Sequence, residues 1–272
     1  MEMWMTTEGR SQILQLLTDP QVYAAVLEAP TPFYQQFEQE QVMPYFRRAA
    51  AAIRTVDAEG VLFLETSMGS NMGIYSAVQP LEGEAQQAYA PHGYDLVVDT
   101  PDNAHSSAGR VNLIFSRHAE SAQRHQWPML VGEWGAFGKA PDTLRAAWDA
   151  VHVFERLLCS ETYWAYQAQI EDAACFQALW RPYPERVAGR LESYCYDEQN
   201  RSFECAWQEE AASSAPTVIY LPAWRGFNAE RLQVEPAGPR PVEIIRQADG
   251  VWLHIPPTEE AVKRVVRVLR NE

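Results

Sequence analysis

Met129-Leu130-Val131-Gly132-Glu133-Trp134 is a short apolar run that closes on a carboxylate, and three other runs in the chain share its character. They are Val61-Leu62-Phe63-Leu64, Ala88-Tyr89-Ala90-Pro91-His92 and Thr162-Tyr163-Trp164-Ala165-Tyr166. Runs of this kind suit strands buried on both faces, as in a parallel sheet. Taken in order they start at 61, 88, 129 and 162, so 27, 41 and 33 residues separate successive starts, room for a strand, a helix and two loops each time. The segments between them agree. Residues 110–126 and 143–158 carry apolar side chains at helical spacing, the second behind a Pro141-Asp142 start signal. Upstream, Phe33, Phe37, Phe46, Ala49, Ile53 and Val56 predict one long amphipathic helix over 33–56, and the 60 residues before the first strand leave room for that helix and a loop. Strand and helix alternate, which implies a parallel sheet with helical crossovers and ligand-binding groups at the carboxyl ends of the strands. Polar residues stand at those ends: Glu65 and Thr66, His92 and Tyr94, Glu133, and Trp164 with Gln167.

After Arg181-Pro182-Tyr183-Pro184 the texture changes to short segments punctuated by Pro and Gly, among them 217–221, 242–245, 251–255 and 262–269. This predicts two domains, an α/β unit over 1–183 and a small all-β sandwich over 184–272. Within the second, a hairpin turning near Asn200 is expected to set Cys195 opposite Cys205, within disulfide range, although two buried thiols are an equal alternative.

Composition narrows the function. The chain has 272 residues, 47% hydrophobic and 21% charged, too apolar to be disordered and too often interrupted by charge to be a membrane bundle. Its 22 basic against 36 acidic residues give a net charge of −14, which argues against a partner held by phosphate neutralisation, so nucleic acid is not expected. No run is long enough to span a bilayer, and the opening residues Met1-Glu2-Met3-Trp4-Met5 show no basic region or cleavage site, so a soluble protein without an export signal is expected, its compartment unknown. Cys159, Cys175, Cys195 and Cys205 lack metal-ligand spacing, so neither metal nor cofactor is expected. Nine Trp, twelve Tyr and ten Phe supply ring faces of the kind on which sugars stack.

Glu133 is the candidate for chemistry, because a carboxylate at the end of a buried strand is costly unless it has partners or a task, with a satisfied buried carboxylate or a helix cap as the equal alternative from its position alone. Cleaving a glycosidic bond with retention needs two carboxyl groups about 5 to 5.5 Å apart, one attacking the anomeric carbon and one protonating the leaving oxygen. The neighbours favour that use. Pro91-His92-Gly93-Tyr94, Val131-Gly132-Glu133-Trp134-Gly135-Ala136 and Tyr163-Trp164-Ala165-Tyr166, in this order and spacing, resemble the second half of the (β/α)8 barrel of glycoside hydrolase family 5. Tyr89-Ala90-Pro91-His92-Gly93-Tyr94-Asp95, followed by a β-sandwich, is most similar to the endoglycoceramidase and steryl-glucosidase branch, over roughly residues 20 to 270.

The resemblance implies Glu133 as nucleophile, His92 and Tyr94 as the pair that contacts the reacting sugar and orients the nucleophile, and Trp164 as the platform beneath that sugar. Glu65, Trp134 and Gln167 stand as further substrate contacts. It also implies a departure, since the family carries its acid/base on an Asn-Glu-Pro motif at the end of the fourth strand. The only Asn-Glu pair here is Asn271-Glu272. The expectation is therefore the second half of a TIM barrel plus the sandwich, with the nucleophile but without its acid/base, and Glu65 as the best internal substitute. A half-barrel exposes sheet edges and one face. A complementary half-barrel chain or a second copy would cover them, and the substrate would be a carbohydrate or glycolipid. The alternative is a non-catalytic carbohydrate-binding or assembly subunit.

Overall fold

The computed structural model describes residues 6–223 and 227–270. The chain divides into two compact units, Met1–Phe176 and Gln177–Glu272, so the division falls ahead of the Pro-rich stretch at which the sequence texture changes.

In the first unit the expected strands form as β1 (Leu62–Leu64), β2 (Gln87–Tyr89), β3 (His92–Gly93), β4 (Leu130–Gly135) and β5 (Ser160–Trp164). The run from Ala88 to His92 is two strands rather than one because Pro91, which lacks an N–H, interrupts the ladder. All pairings are parallel. β1 pairs with β2, β3 with β4 and β4 with β5. A Tyr89–Met129 bridge, with Ala90 N donating to Leu64 O at 2.9 Å and Gly132 N to Pro91 O at 2.9 Å, carries the array across the break. Four parallel stretches thus lie side by side in sequence order, as their spacing predicts.

Helices α1 (Thr7–Leu16), α2 (Pro20–Glu28), α3 (Thr31–Phe37) and α4 (Met43–Arg54) precede the sheet, more than the single helix expected there. The long helix expected over 33–56 is divided by a π-helical turn at Glu38–Val42. Pro44 has a physical part in this, because a proline in a continuous α-helix removes a hydrogen bond and crowds the carbonyl four residues back. The widened turn buries Glu38 completely and aims it at the loop after β1. There its Oε1 accepts from Ser67 N at 2.9 Å and Ser67 Oγ at 2.7 Å, and its Oε2 from Ser76 Oγ at 2.9 Å and Ala77 N at 2.5 Å. A buried charge with this many donors is satisfied, and it pins the loop.

The crossovers α5 (Ala108–His125) and α6 (Leu144–Leu157) match their predicted spans within two residues and present buried stripes that include Val111, Ile114 and Phe115, and Ala147, Val151 and Phe154. On one side the core stacks Tyr89 on Trp127, with ring centroids 5.1 Å apart, among Met43, Leu64, Val78 and Leu81. The other side of the array is open: Val61, Phe63, Ser160, Thr162 and Trp164 are all exposed. Among the described residues, β1 and β5 each pair along one edge only.

A four-residue helix, Phe176–Leu179, spans the division, and among the described residues the second unit holds eight strands: β6 (Tyr183–Arg186), β7 (Gly189–Asp197), β8 (Ser202–Glu209), β9 (Thr217–Pro222), β10 (Phe227–Glu235), β11 (Glu243–Arg246), β12 (Gly250–Ile255) and β13 (Lys263–Arg270). They make two antiparallel sheets, ordered β10-β13-β8-β7 and β11-β12-β9-β6. Phe203, Trp207, Val266 and Val268 from the first and Ile219, Leu221, Leu253 and Ile255 from the second are almost fully buried, the core of a β-sandwich. The hairpin near Asn200 forms, but one residue out of the expected register: Cys195 faces Glu204, and Cys205 faces Tyr194. Asp197 sets the turn, its Oδ1 accepting from Gln199 N and Asn200 N, both at 2.9 Å. A one-residue slip moves a side chain to the opposite face. Cys195 is accordingly exposed, Cys205 is buried, and no bridge joins them. No described helix is long and apolar enough to cross a membrane.

Candidate active site

Parallel register brings the expected residues together. His92 on β3 pairs directly with Glu133 on β4, Gly93 with Trp134, and Gly135 with Trp164 at the carboxyl end of β5. Glu65 is the first residue after β1. Tyr94, just past β3, donates its phenol O–H to Glu133 Oε2 at 2.7 Å. The same oxygen lies 3.2 Å from His92 Nδ1, and that nitrogen is also 3.3 Å from Glu65 Oε1. Both carboxylates therefore meet one imidazole.

Gly132 allows this arrangement. A Cβ there would come within 3.0 Å of His92 Cδ2 and Nε2, so the ring could not lie against the strand. At Gly135, which has φ +92°, a Cβ would strike the Tyr163 ring at 2.3 Å, so glycine serves both the backbone and the packing.

Burial and the neighbouring Glu133 carboxylate hold the Tyr94 phenol well above its usual range, so it remains a donor. The backbone on either side of it is anchored. Tyr94 N donates to Asn71 O at 2.8 Å. Asp95 receives a two-pronged pair from Arg110, Nε at 2.9 Å and an Nη at 2.8 Å, and it also accepts from Val97 N and Ser107 N, both at 3.1 Å. Asp95 lies in the motif quoted from the sequence, yet its anchoring role was not legible there, because Arg110 is brought to it only by the packing of α5.

Trp164 stands half-exposed at the end of β5. Gln167 follows in the next loop, its Nε2 near Gly138 of the loop after β4, where a Cβ on the glycine would lie 3.7 Å away. Trp134 departs from the expectation that it contacts substrate. Successive residues of a strand point to opposite faces, so with Glu133 facing the site Trp134 faces the helices. It is 1% exposed, packed on Phe154 and Tyr163, with its indole N–H on Glu161 at 2.5 Å. The pair Asn271-Glu272 lies outside the described residues.

A strand-end carboxylate with an oriented phenol and imidazole, set on parallel βα units and followed by a β-sandwich, defines the TIM-barrel glycosidases that carry an appended β domain. The chain belongs to glycoside hydrolase family 5. The profile of the cellulase family (glycosyl hydrolase family 5) matches residues 24–169, and that of the glycoside hydrolase family 5 C-terminal domain matches residues 181–268. Among solved structures, endo-glycoceramidase II from Rhodococcus sp. in its cellobiose-like isofagomine complex superposes with a TM-score of 0.70 at 22% identity, over 87% of this chain and 55% of that one. Its ganglioside GM3 complex gives 0.69 at 22% identity over the same shares. Cryptococcus neoformans sterylglucosidase 1 gives 0.64 at 14% identity, over 86% and 45%. The chain thus spans about half the length of the solved structures it matches, and at these identities the likeness is one of fold. No curated protein matches it.

Proposed function

We propose that this chain is the nucleophile-bearing half of a retaining β-glycosidase that hydrolyses O-glycosyl bonds of a glycolipid or another β-glucoside, its acid/base carried on a strand outside the chain. The observation that carries this reading is the convergence of Tyr94 and His92 on one oxygen of Glu133. Tyr94 O–H holds Oε2, with His92 Nδ1 3.2 Å from the same oxygen, which leaves Oε1 to attack the anomeric carbon. Tyr94 and His92 orient the carboxylate, Trp164 offers an indole face to the apolar side of the sugar, and Gln167 flanks it.

The acid step belongs elsewhere on this reading. The family places it on Asn-Glu-Pro, a motif missing from the sequence, and Glu65 is committed to His92. Four parallel stretches with one open face support reading the first unit as half of an eight-stranded barrel. A complementary chain bringing the other strands would cover that face and deliver the second carboxyl group, whereas a second copy of this chain would cover it without the Asn-Glu-Pro motif. The names of the superposed proteins, a glycoceramidase and a sterylglucosidase, favour a lipid aglycone. The loop after β1 supports this with Met68 78% and Met72 38% exposed on a backbone pinned by Glu38.

The test is made on any active form: Glu133→Gln abolishes hydrolysis, and Glu133→Gly loses turnover that added azide partly restores by occupying the vacated carboxylate position. Undiminished turnover in the Gln variant contradicts the assignment.

A further inference from the structure

Glu65 is a carboxylate that the chemistry above leaves without a task. His92 Nδ1 lies 3.3 Å from Glu65 Oε1 and 3.2 Å from Glu133 Oε2, so one ring nitrogen faces two carboxylate oxygens. A lone pair on that nitrogen would set acceptor against acceptors, whereas an N–H satisfies both, so the hydrogen is assigned to Nδ1 from its neighbours. The ring cannot easily turn away, because its Cδ2–Nε2 edge lies against Gly132. One ring nitrogen therefore stands between two carboxylate oxygens.

We propose that Glu65 is a positioning residue for the nucleophile, acting through His92 as the alternate acceptor of the Nδ1–H while Glu133 is esterified. The proposal rests on Glu133 being the nucleophile. In the attack, an electron pair of Glu133 Oε1 forms the bond to the anomeric carbon, the bond from that carbon to the leaving group breaks, and the leaving group departs with its electrons. No proton leaves His92. Glu133 loses its charge on becoming an ester and is then a weaker acceptor, so the N–H re-aims at Glu65, whose charge is unchanged. Repulsion between the two carboxylates also disappears as the ester forms, which favours the step. Glu65→Gln removes both effects, and its amide can donate to Nδ1 and turn the imidazole to the tautomer whose lone pair faces Glu133. Glu65 is an exposed side chain outside the core, so its replacement is expected to leave the fold intact.

The test needs no acid/base if the leaving group needs no proton. The purified chain is treated with 2,4-dinitrophenyl 2-deoxy-2-fluoro-β-glucoside, and formation of the fluoroglucosyl adduct is followed by intact mass and located by peptide mapping, for the wild type, Glu65→Gln and Glu65→Asp. The adduct is expected on Glu133. The Gln variant is expected to lose about tenfold in the limiting rate of labelling, the scale of one charge-assisted hydrogen bond, with the half-saturating concentration unchanged. The Asp variant recovers part of the loss. Imidazole nitrogen spectra should show a hydrogen on Nδ1 in the wild type whose signal shifts on labelling. Equal limiting rates in wild type and Gln variant overturn the proposal, and so does a change confined to half-saturation, which makes Glu65 a sugar contact. An adduct on another residue instead removes the nucleophile assignment on which the proposal stands.

Discussion

Tyr94 and Glu133 are joined by a 2.7 Å hydrogen bond between side chains on neighbouring parallel elements, and this bond fixes which carboxylate oxygen is engaged. It exists because β3 and β4 pair with His92 level with Glu133, which places the residue two beyond His92 above the carboxylate. Removing the phenol isolates its contribution. Tyr94→Phe is expected to lower kcat/KM of the active assembly by about 10- to 100-fold, the range for a hydrogen bond to a charged group at roughly 1.5–3 kcal/mol. Steady-state kinetics on an aryl β-glucoside reads the loss, and an unchanged kcat/KM contradicts the role.

The Asp95–Arg110 pair holds the backbone next to Tyr94, and both side chains are 1% exposed. Asp95→Asn leaves the Arg110 guanidinium buried without its counter-charge. Breaking such a pair costs about 3–5 kcal/mol. Urea unfolding of the variant should show a loss on that scale, and a loss under about 1 kcal/mol would mean that solvent reaches the guanidinium.

Much of the barrel unit was legible because its signals are local. Apolar runs ending in polar residues located the four parallel stretches, and the periodicity of residues 110–126 and 143–158 located α5 and α6. Glu65, His92, Tyr94 and Glu133 could be named together because parallel βα topology puts strand ends side by side. The failures have separate causes, the first of them contacts distant in sequence. The π-turn at Glu38–Val42 answers to Ser67, Ser76 and Ala77, which no helical periodicity reveals. The Cys195–Cys205 pairing failed by one residue, because the Asp197 turn rather than hydrophobic pattern sets that register. Trp134 was grouped with Glu133 by adjacency, although strand alternation separates the two faces.

Buried His118 makes stability depend on pH. Desolvation pushes its imidazole from 6.5 down to about 4, with Tyr89 Oη 3.1 Å from Nδ1. A folded-state value below the unfolded one means that the unfolded chain binds the proton first. The contribution is therefore present above about pH 6.5 and is lost as the pH falls towards about 4. Denaturant midpoints of the wild type should decline across that window more steeply than those of His118→Phe, which has no proton to bind. Parallel declines would show that other groups govern the acid limb.

On the half-barrel reading, Glu133 turns over substrate only when a second carboxyl group reaches it from outside this chain. General acid help is worth about 10²- to 10⁴-fold, and the sugar contacts of the missing strands add to it. The most direct measurement couples solution mass by light scattering to an aryl β-glucoside assay on the same sample. No meaningful turnover is expected from the verified 30.9 kDa monomer, and turnover should appear when a polypeptide carrying an Asn-Glu-Pro strand joins the complex. Robust turnover from the isolated monomer contradicts that reading.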